Sequence, residues 1–398
     1  MSKKLMILGA SILQLPAIRK AKEMGIRVVA VDMDPDAVGF AESDIEKEVI
    51  STIDIPAVLE AAKRHNVDGV MTLASDMPMR TVAVVARELG LVGVSEETAF
   101  NATNKAAMRQ ALLEHGVPIP RFFKVSNADE YKTAVKQFTA AFVVKPADNS
   151  GSRGIFLVED ITNTDAVEKA YEYSHTYSRS GDVVVEEYMR GPEVSVETLT
   201  VDGECHIIQI TDKLTTGAPH FVEMGHSQPT QLCSRTAERI KWITQAANRA
   251  IGITNGPSHT EIIVTEEGPK IVELGARLGG DCITTHLVPL STGVDMVECC
   301  IRIALGEKPE ITPKFKRGSA IRYFEQTAGT VENIDGVDAA ERIDGVRQIS
   351  IVHGVGETVT EITSSGARLG FVIAQACTAE KAVSVCEGAL KEITIDIQ

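Results

Sequence analysis

The sequence predicts a multidomain chain, α/β in its first part and α+β towards its end. Three observations predict it. The 398 residues suit about two to four domains at roughly 100–200 residues each. Residues 1–95 alternate short apolar strands with helical patterns, the βαβα order of a doubly wound parallel sheet. From residue 192 the pattern changes to longer alternating strands.

The elements follow in order. Leu5-Met6-Ile7-Leu8 is an apolar run closed by Gly9, and 13–24 reads as a helix ending at Gly25. A buried strand over 27–31 ends at Asp32. A helix over 56–65, a strand over 69–73 and a helix over 77–89 complete this part. Ligands of such sheets sit beyond the carboxyl ends of the strands. Asp32 stands where a dinucleotide ribose would be met. The first turn, Gly9-Ala10-Ser11-Ile12-Leu13-Gln14, has one glycine where the dinucleotide fingerprint needs three. The expectation is a structural domain, 1–95, whose strand ends help line a substrate pocket.

Residues 96–117 read as helical, up to His115-Gly116-Val117-Pro118. A strand–helix–strand–loop–strand–helix–strand series runs from 121 to 187. A helix at 232–251 interrupts the alternating strands of 192–264. A strand at 271–274 and two helices in 283–305 lead to Pro309-Glu310-Ile311-Thr312-Pro313, a boundary. The remainder, 311–398, has strand signals near 319–324, 347–352 and 370–376 and a helix near 379–391.

Composition narrows the function. Apolar residues at 44% and charged ones at 24% exclude disordered and fibrous classes. Forty Lys+Arg against 55 Asp+Glu gives a net charge of −15, which repels nucleic acid and anionic membrane. No apolar run approaches the about 20 residues that span a bilayer. The start, Met1-Ser2-Lys3-Lys4, leads into a strand without a signal-type cleavage site. Seven scattered cysteines with no Cys-x-x-Cys pair predict a reducing cytoplasm, buried thiols, no disulfide framework and no zinc site.

Four segments carry chemistry. Phe142-Val143-Val144-Lys145-Pro146 puts a lysine at a strand end, before the small-residue loop Asp148-Asn149-Ser150-Gly151-Ser152-Arg153-Gly154. Backbone N–H groups of such a loop fold over an anion, and the lysine supplies a point charge for phosphate oxygens. Val183-Val184-Val185-Glu186-Glu187-Tyr188-Met189-Arg190-Gly191-Pro192-Glu193 is a strand that breaks at Gly-Pro. It can offer backbone groups to an adenine edge, and Glu193 can accept ribose hydroxyls. Glu223 and His226 share one strand-like stretch and are candidates to line a substrate pocket, although a strand histidine is more often a satisfied polar group.

The fourth segment is a hairpin over 258–277. With a five-residue loop, Thr265-Glu266-Glu267-Gly268-Pro269, Glu261 falls opposite Glu273 on one face. Ile262, Val264, Val272 and Leu274 are expected on the apolar face. Facing carboxylates repel unless a cation lies between them. Mg²⁺ suits the place, taking a few carboxylate oxygens and leaving positions for phosphate. His259 shares their face, where it can orient a metal acid. Arg277 is placed for an anion in transit, and Gly279-Gly280 bring backbone N–H groups close.

In order and approximate spacing these segments resemble the ATP-grasp superfamily, over about residues 1–310. The resemblance implies an ATP-grasp fold. It would have an N-terminal Rossmann-like sheet (1–95), an ATP-grasp region (96–310) with a lid near 120–190, and a C-terminal α+β domain (311–398). It adds Lys105, in Ala102-Thr103-Asn104-Lys105, as a first phosphate lysine. Lys145, Ser150, Gly151, Ser152 and Gly154 would meet phosphates. Glu186, Glu187, Tyr188 and Met189 would hold adenine, and Glu193 the ribose. Glu261 and Glu273 would bind Mg²⁺, or Mn²⁺. Arg277, Glu273 and His259 would be catalytic, with Glu223, His226, Gly279 and Gly280 at the substrates. One departure stands out: many members have Glu-x-Asn-x-Arg where this chain has Glu273-Leu274-Gly275-Ala276-Arg277.

Within the superfamily the chain is most similar to carboxylate–amine ligases of the L-amino-acid (dipeptide) ligase type. Glu273-Leu274-Gly275-Ala276-Arg277-Leu278-Gly279-Gly280-Asp281, the stretch from His220 to Pro229, and Gly366-Ala367-Arg368-Leu369-Gly370-Phe371-Val372-Ile373 carry that likeness. It implies a cytoplasmic ligase, with a homodimer as the family's common assembly, that acts on a small-molecule carboxylate and amine through an acyl phosphate. It implies neither a nucleic-acid nor a membrane partner. Two alternatives stay open. One is a purine-pathway ligase on a phosphoribosylamine-type substrate, for which Ser11, Arg19 and Lys20 are the early phosphate donors. The other is a non-catalytic nucleotide-binding homologue.

Overall fold

The computed structural model of the chain describes residues 2–149, 151 and 153–398. The first sheet is parallel, in the order Ile45–Val49, Arg27–Asp32, Lys4–Leu8, Gly69–Met71. Its helices, Leu15–Glu23, Ile55–His65 and Pro78–Leu89, each have a proline in the first turn, where the missing N–H costs nothing. The strand Ile45–Val49 escapes the sequence pattern because it is a half-exposed edge of mixed charge. The would-be dinucleotide turn is filled by the chain itself. The Gln14 amide occupies the space beside Gly9 and donates to the Leu73 carbonyl at 2.5 Å. Asp32 accepts from the Ala10 N–H at 2.8 Å.

The stretch 96–117 is not one helix. It divides at Asn104 into Glu96–Thr103 and Lys105–Glu114. Asn104 has extended backbone, and its side chain accepts from the Ala107 N–H, so it caps the second helix. A small antiparallel sheet follows, in the order Phe122–Val125, Val183–Glu187, Phe142–Pro146, Phe156–Val158. Helices Ala128–Val135 and Thr164–Thr176 cover it, around a core of Tyr131, Phe138, Phe142 and Val185.

The largest sheet has eight antiparallel strands. Their order is Gly268–Gly275, Gly256–Thr265, Glu193–Val201, Glu204–Thr215, Glu223–Gln228, Gly318–Tyr323, Gly370–Ala376, Val346–Ile351. It runs unbroken past the boundary expected near 311, so the C-terminal segment shares a sheet with the hairpin. Alternation gives its central strands two unlike faces. Val194, Val196, Ile210, Ile262, Ile271 and Leu274 pack in one core with Ile240, Ile243 and Ala247 of the helix Ser234–Ile251. The polar partners of that alternation, among them Glu193, Glu197, Lys213, His259 and Glu261, point the other way.

Among the described residues no helix is long and apolar enough to cross a membrane. All seven cysteines are free thiols. The expectation that they are buried fails for Cys233 and Cys377, which lie exposed at a helix start and a strand end.

Candidate active site

The hairpin sets the site. Glu261 pairs with Glu273 across the two strands, as expected, but by another route. The connection is a tight turn at Glu266-Glu267, with Thr265 opposite Gly268. A bulge next to Glu261 then adds one residue on the second strand, since Ile262 pairs with Ile271. The tight turn and the bulge together give the register that a five-residue loop would give. The bulge also turns Val272 into the cavity, correcting its placement on the apolar face, where Ile271 lies instead.

A cavity of about 310 Å³ lies over this face, within the usual size of small-molecule sites. Its wall brings together Lys105, Lys145, Gly151, Glu223, His226, His259, Glu261, Glu273, Arg277 and Gly280, ten residues expected at the site. Lys105, first residue of its helix, donates to Glu273 Oε1 at 2.9 Å and to the Asn149 carbonyl at 2.6 Å. Lys145 pairs with Glu186 Oε2 at 2.6 Å. Glu186 also receives Arg109 at 2.7 and 3.1 Å. Burial alone would raise the Glu186 carboxyl, but these two cations bring it down to about 2. Burial likewise lowers Lys145, against the pull of Glu186.

At the other side the ammonium of Lys213, with 4% of its side chain exposed, meets three acids. Glu193 Oε1 is at 2.6 Å, Glu261 Oε1 at 3.0 Å and Glu223 Oε1 at 3.6 Å. Burial opposes ionisation of Glu261, yet Lys213 and His259 hold it well below the carboxylate range. Glu193 is raised, by burial and by the charges of Glu261 and Glu223. His259 is gripped at both nitrogens: Nδ1 lies 2.7 Å from Glu197 Oε1 and Nε2 3.5 Å from Glu261 Oε1. Glu197 is fully buried. Burial would lower the imidazole, but Glu197 and Glu261 raise it to about 9, so it is a cation at neutral pH.

The remaining expected residues that the structure describes stand off the cavity. Gly154 packs against Tyr177, and Gly279 against His259, each with no room for a Cβ. Glu187 faces Lys270 at 3.6 Å, and Tyr188 lies under the Arg190 guanidinium at 4.9 Å. Met189 is buried. Glu186 and Glu193 present their carboxylates to cations of the protein itself. Ser150 and Ser152 lie outside the described residues. Of the early phosphate candidates, Ser11 bonds to Gln14, Arg19 to Glu42, and Lys20 to Glu23 and Asp295.

Residues that sequence reasoning missed line the wall or stand behind it. Asp76, from the loop after Gly69–Met71, accepts from Arg277 Nε at 2.8 Å. Arg368 grips Asp281 with two bonds of 2.8 Å and lies 3.7 Å over the Tyr323 ring. Strict alternation in Glu193-Val194-Ser195-Val196-Glu197 could have flagged Glu197. Asp76, Lys213 and Arg368 leave no local signal, because their partners are remote in sequence.

The donor set suits a hard divalent cation, which takes carboxylate oxygens and keeps positions for water and phosphate. Among the described residues no group of three or more His, Cys, Asp and Glu side chains could hold a metal by itself. Glu261 and Glu273 could supply two ligands to such an ion, with its other positions left to water and phosphate.

Comparison with known proteins agrees with this architecture. Residues 124–285 match the ATP-grasp domain family, and 322–398 match the L-amino acid ligase C-terminal domain 2. An uncharacterized protein of Sinorhizobium fredii is 28% identical over 94% of this chain and 79% of its own length. The L-arginine-specific L-amino acid ligase of Bacillus subtilis is 27% identical over 71% of this chain and 70% of its own. A phosphoribosylamine–glycine ligase of Escherichia coli is 24% identical over 80% of this chain and 79% of its own. The crystal structure of an L-amino acid ligase from Bacillus licheniformis superposes with a TM-score of 0.85 at 24% identity, covering 100% of this chain and 99% of that one. That last likeness is one of fold.

Proposed function

We propose that this chain, an ATP-dependent carboxylate–amine ligase with an ATP-grasp domain and an L-amino acid ligase C-terminal domain, joins two amino acids through an acyl phosphate. The observation that carries the reading is the facing pair Glu261 and Glu273 in a cavity that also holds Lys105, Lys145 and Arg277. Such a wall suits a triphosphate: carboxylates for its cation, lysines and an arginine for its oxygens.

A substrate carboxylate oxygen would attack the γ-phosphorus of ATP, with ADP leaving. The amine nitrogen would then attack the acyl carbon, lose a proton, and expel phosphate. Positioning and charge neutralisation carry such a transfer. Lys105 and Lys145 would hold phosphate oxygens. Glu261 and Glu273 would hold Mg²⁺, or Mn²⁺, which when bound offsets the charge of the terminal phosphates. Arg277 would meet the charge on the transferring phosphoryl and on the later oxyanion. The backbone at Gly280 borders the same place. Glu223, whose Oε2 accepts from Ser365 at 3.1 Å, would receive a substrate ammonium beside His226. His259, held as a cation between two carboxylates, serves to fix Glu261 rather than to take a proton. The loop around Gly151 would keep water from the acyl phosphate.

A phosphoribosylamine-type substrate is the second reading, favoured by the relative in Escherichia coli. Arg19 and Lys20, its expected phosphate donors, are already in ion pairs. Phosphate release from Mg·ATP, measured with pairs of amino acids and separately with glycine plus phosphoribosylamine, decides between them. Release that needs two amino acids supports the proposal. Release only with phosphoribosylamine, or none with any substrate, overturns it.

A further inference from the structure

Gly275, the residue that departs from Glu-x-Asn-x-Arg, has a counterpart in the N-terminal part of the chain. A Cβ built on Gly275 would stand 2.9 Å from Asp76 Oδ1 and 3.0 Å from Arg277 Nε. The other close approaches of this kind in the molecule often go with a left-handed backbone, as at Gly191 and Gly268, but Gly275 has none. Its missing side chain is thus explained by space and not by conformation. The space is taken by a carboxylate. Asp76 reaches in from the loop beyond the first sheet, where Ala74 at φ +56 turns the chain. It takes Arg277 in a fork, Nε to Oδ1 at 2.8 Å and Nη2 to Oδ2 at 3.3 Å. A fork of this kind fixes both the place and the plane of a guanidinium. Both side chains border the cavity.

We propose that Asp76 is the positioning residue for Arg277, occupying the seat of the Asn side chain in the Glu-x-Asn-x-Arg pattern, with Gly275 as the gap that admits it. The first sheet thereby acts on the reaction through one carboxylate. This rests on the reading of Arg277 as the residue that meets the transferring phosphoryl.

The test is steady-state kinetics with ATP and the amino-acid pair on five variants: Asp76→Ala, Gly275→Ala, Gly275→Asn, Asp76→Ala/Gly275→Asn and Arg277→Ala. A misplacement of about 1 Å costs about 100-fold in rate. Asp76→Ala and Gly275→Asn are each expected to lower kcat by about that factor, with KM for ATP little changed. The double variant is expected to regain about 10-fold over either single one, since the amide then has its seat. Gly275→Ala, the smallest intrusion, is expected to lower kcat in the same direction and serves if Asp76→Ala does not fold. Full turnover in Asp76→Ala or in Gly275→Ala overturns the proposal, and so does a double variant whose losses simply add. Arg277→Ala separates the two readings. If it keeps full turnover, the assignment of Arg277 itself fails. If it is inactive while Asp76→Ala is active, only the positioning role fails.

Discussion

Lys213 sets its ammonium at the meeting point of Glu193, Glu223 and Glu261. Removing one partner from a buried charged group leaves the others uncompensated, at a cost of about 3–5 kcal/mol. Lys213→Met should therefore lower the unfolding free energy by about that amount in urea titrations at pH 7. A change near zero would mean that the three acids are solvated. Glu186 gives a prediction with a sign in pH. Its carboxyl lies at about 2 in the folded protein, below its ordinary 4.5. Its contribution is thus fully present above pH 4.5 and is lost as pH falls through about 2. Glu186→Gln should be much less stable than the parent at pH 7, and the gap should narrow in urea melts towards pH 3. A gap independent of pH would refute the linkage. Glu273→Gln should abolish turnover while leaving ATP binding measurable by calorimetry; full activity would refute the metal assignment. Glu261 and Glu273 were legible because a hairpin fixes their opposition within a few residues. Lys213, Asp76 and Arg368 were not, since each meets its partner through strands far apart in sequence.

At the scale of elements, the lysine helix is informative. Asn104 caps Lys105–Glu114, so it also fixes the residue that sends its ammonium to Glu273 and the Asn149 carbonyl. Asn104→Ala should cost about 1 kcal/mol in stability and raise KM for ATP more than it lowers kcat. An unchanged KM would separate the cap from the site. The sequence shows 96–117 only as helical, without the division, because helical composition continues through Asn104 and neither proline nor glycine interrupts it. The hairpin shows the converse. Its loop was expected to be longer and its strands regular, yet a tight turn and a bulge place Glu261 opposite Glu273 all the same. Alternation reports which face a residue takes, but a bulge reverses that alternation without a sequence mark, which is why Val272 was misplaced.

Over the whole molecule, the eight-stranded sheet joins the hairpin of Glu261 and Glu273 at one edge to Val346–Ile351 at the other. The C-terminal segment was legible as strands and a helix. Its membership of the same sheet was not, because strand pairing across a boundary leaves no local pattern. Arg368 completes the link by holding Asp281 at the cavity. A chain ended at residue 314 would expose the backbone of Glu223–Gln228 as a new edge and lose Arg368. It should aggregate in size-exclusion chromatography, and a monodisperse, active fragment would contradict this. The net charge of −15 leaves cations scarce, yet Lys105, Lys145, Lys213 and Arg277 share one cavity wall. That concentration suits a polyanionic substrate. The chemistry proposed there is tested most directly by supplying the amino acid whose carboxylate becomes the amide carbonyl, labelled with ¹⁸O in that carboxylate, and analysing the phosphate released from Mg·ATP. An acyl phosphate predicts one labelled oxygen in each phosphate formed. Unlabelled phosphate from a reaction that still makes the amide would contradict it.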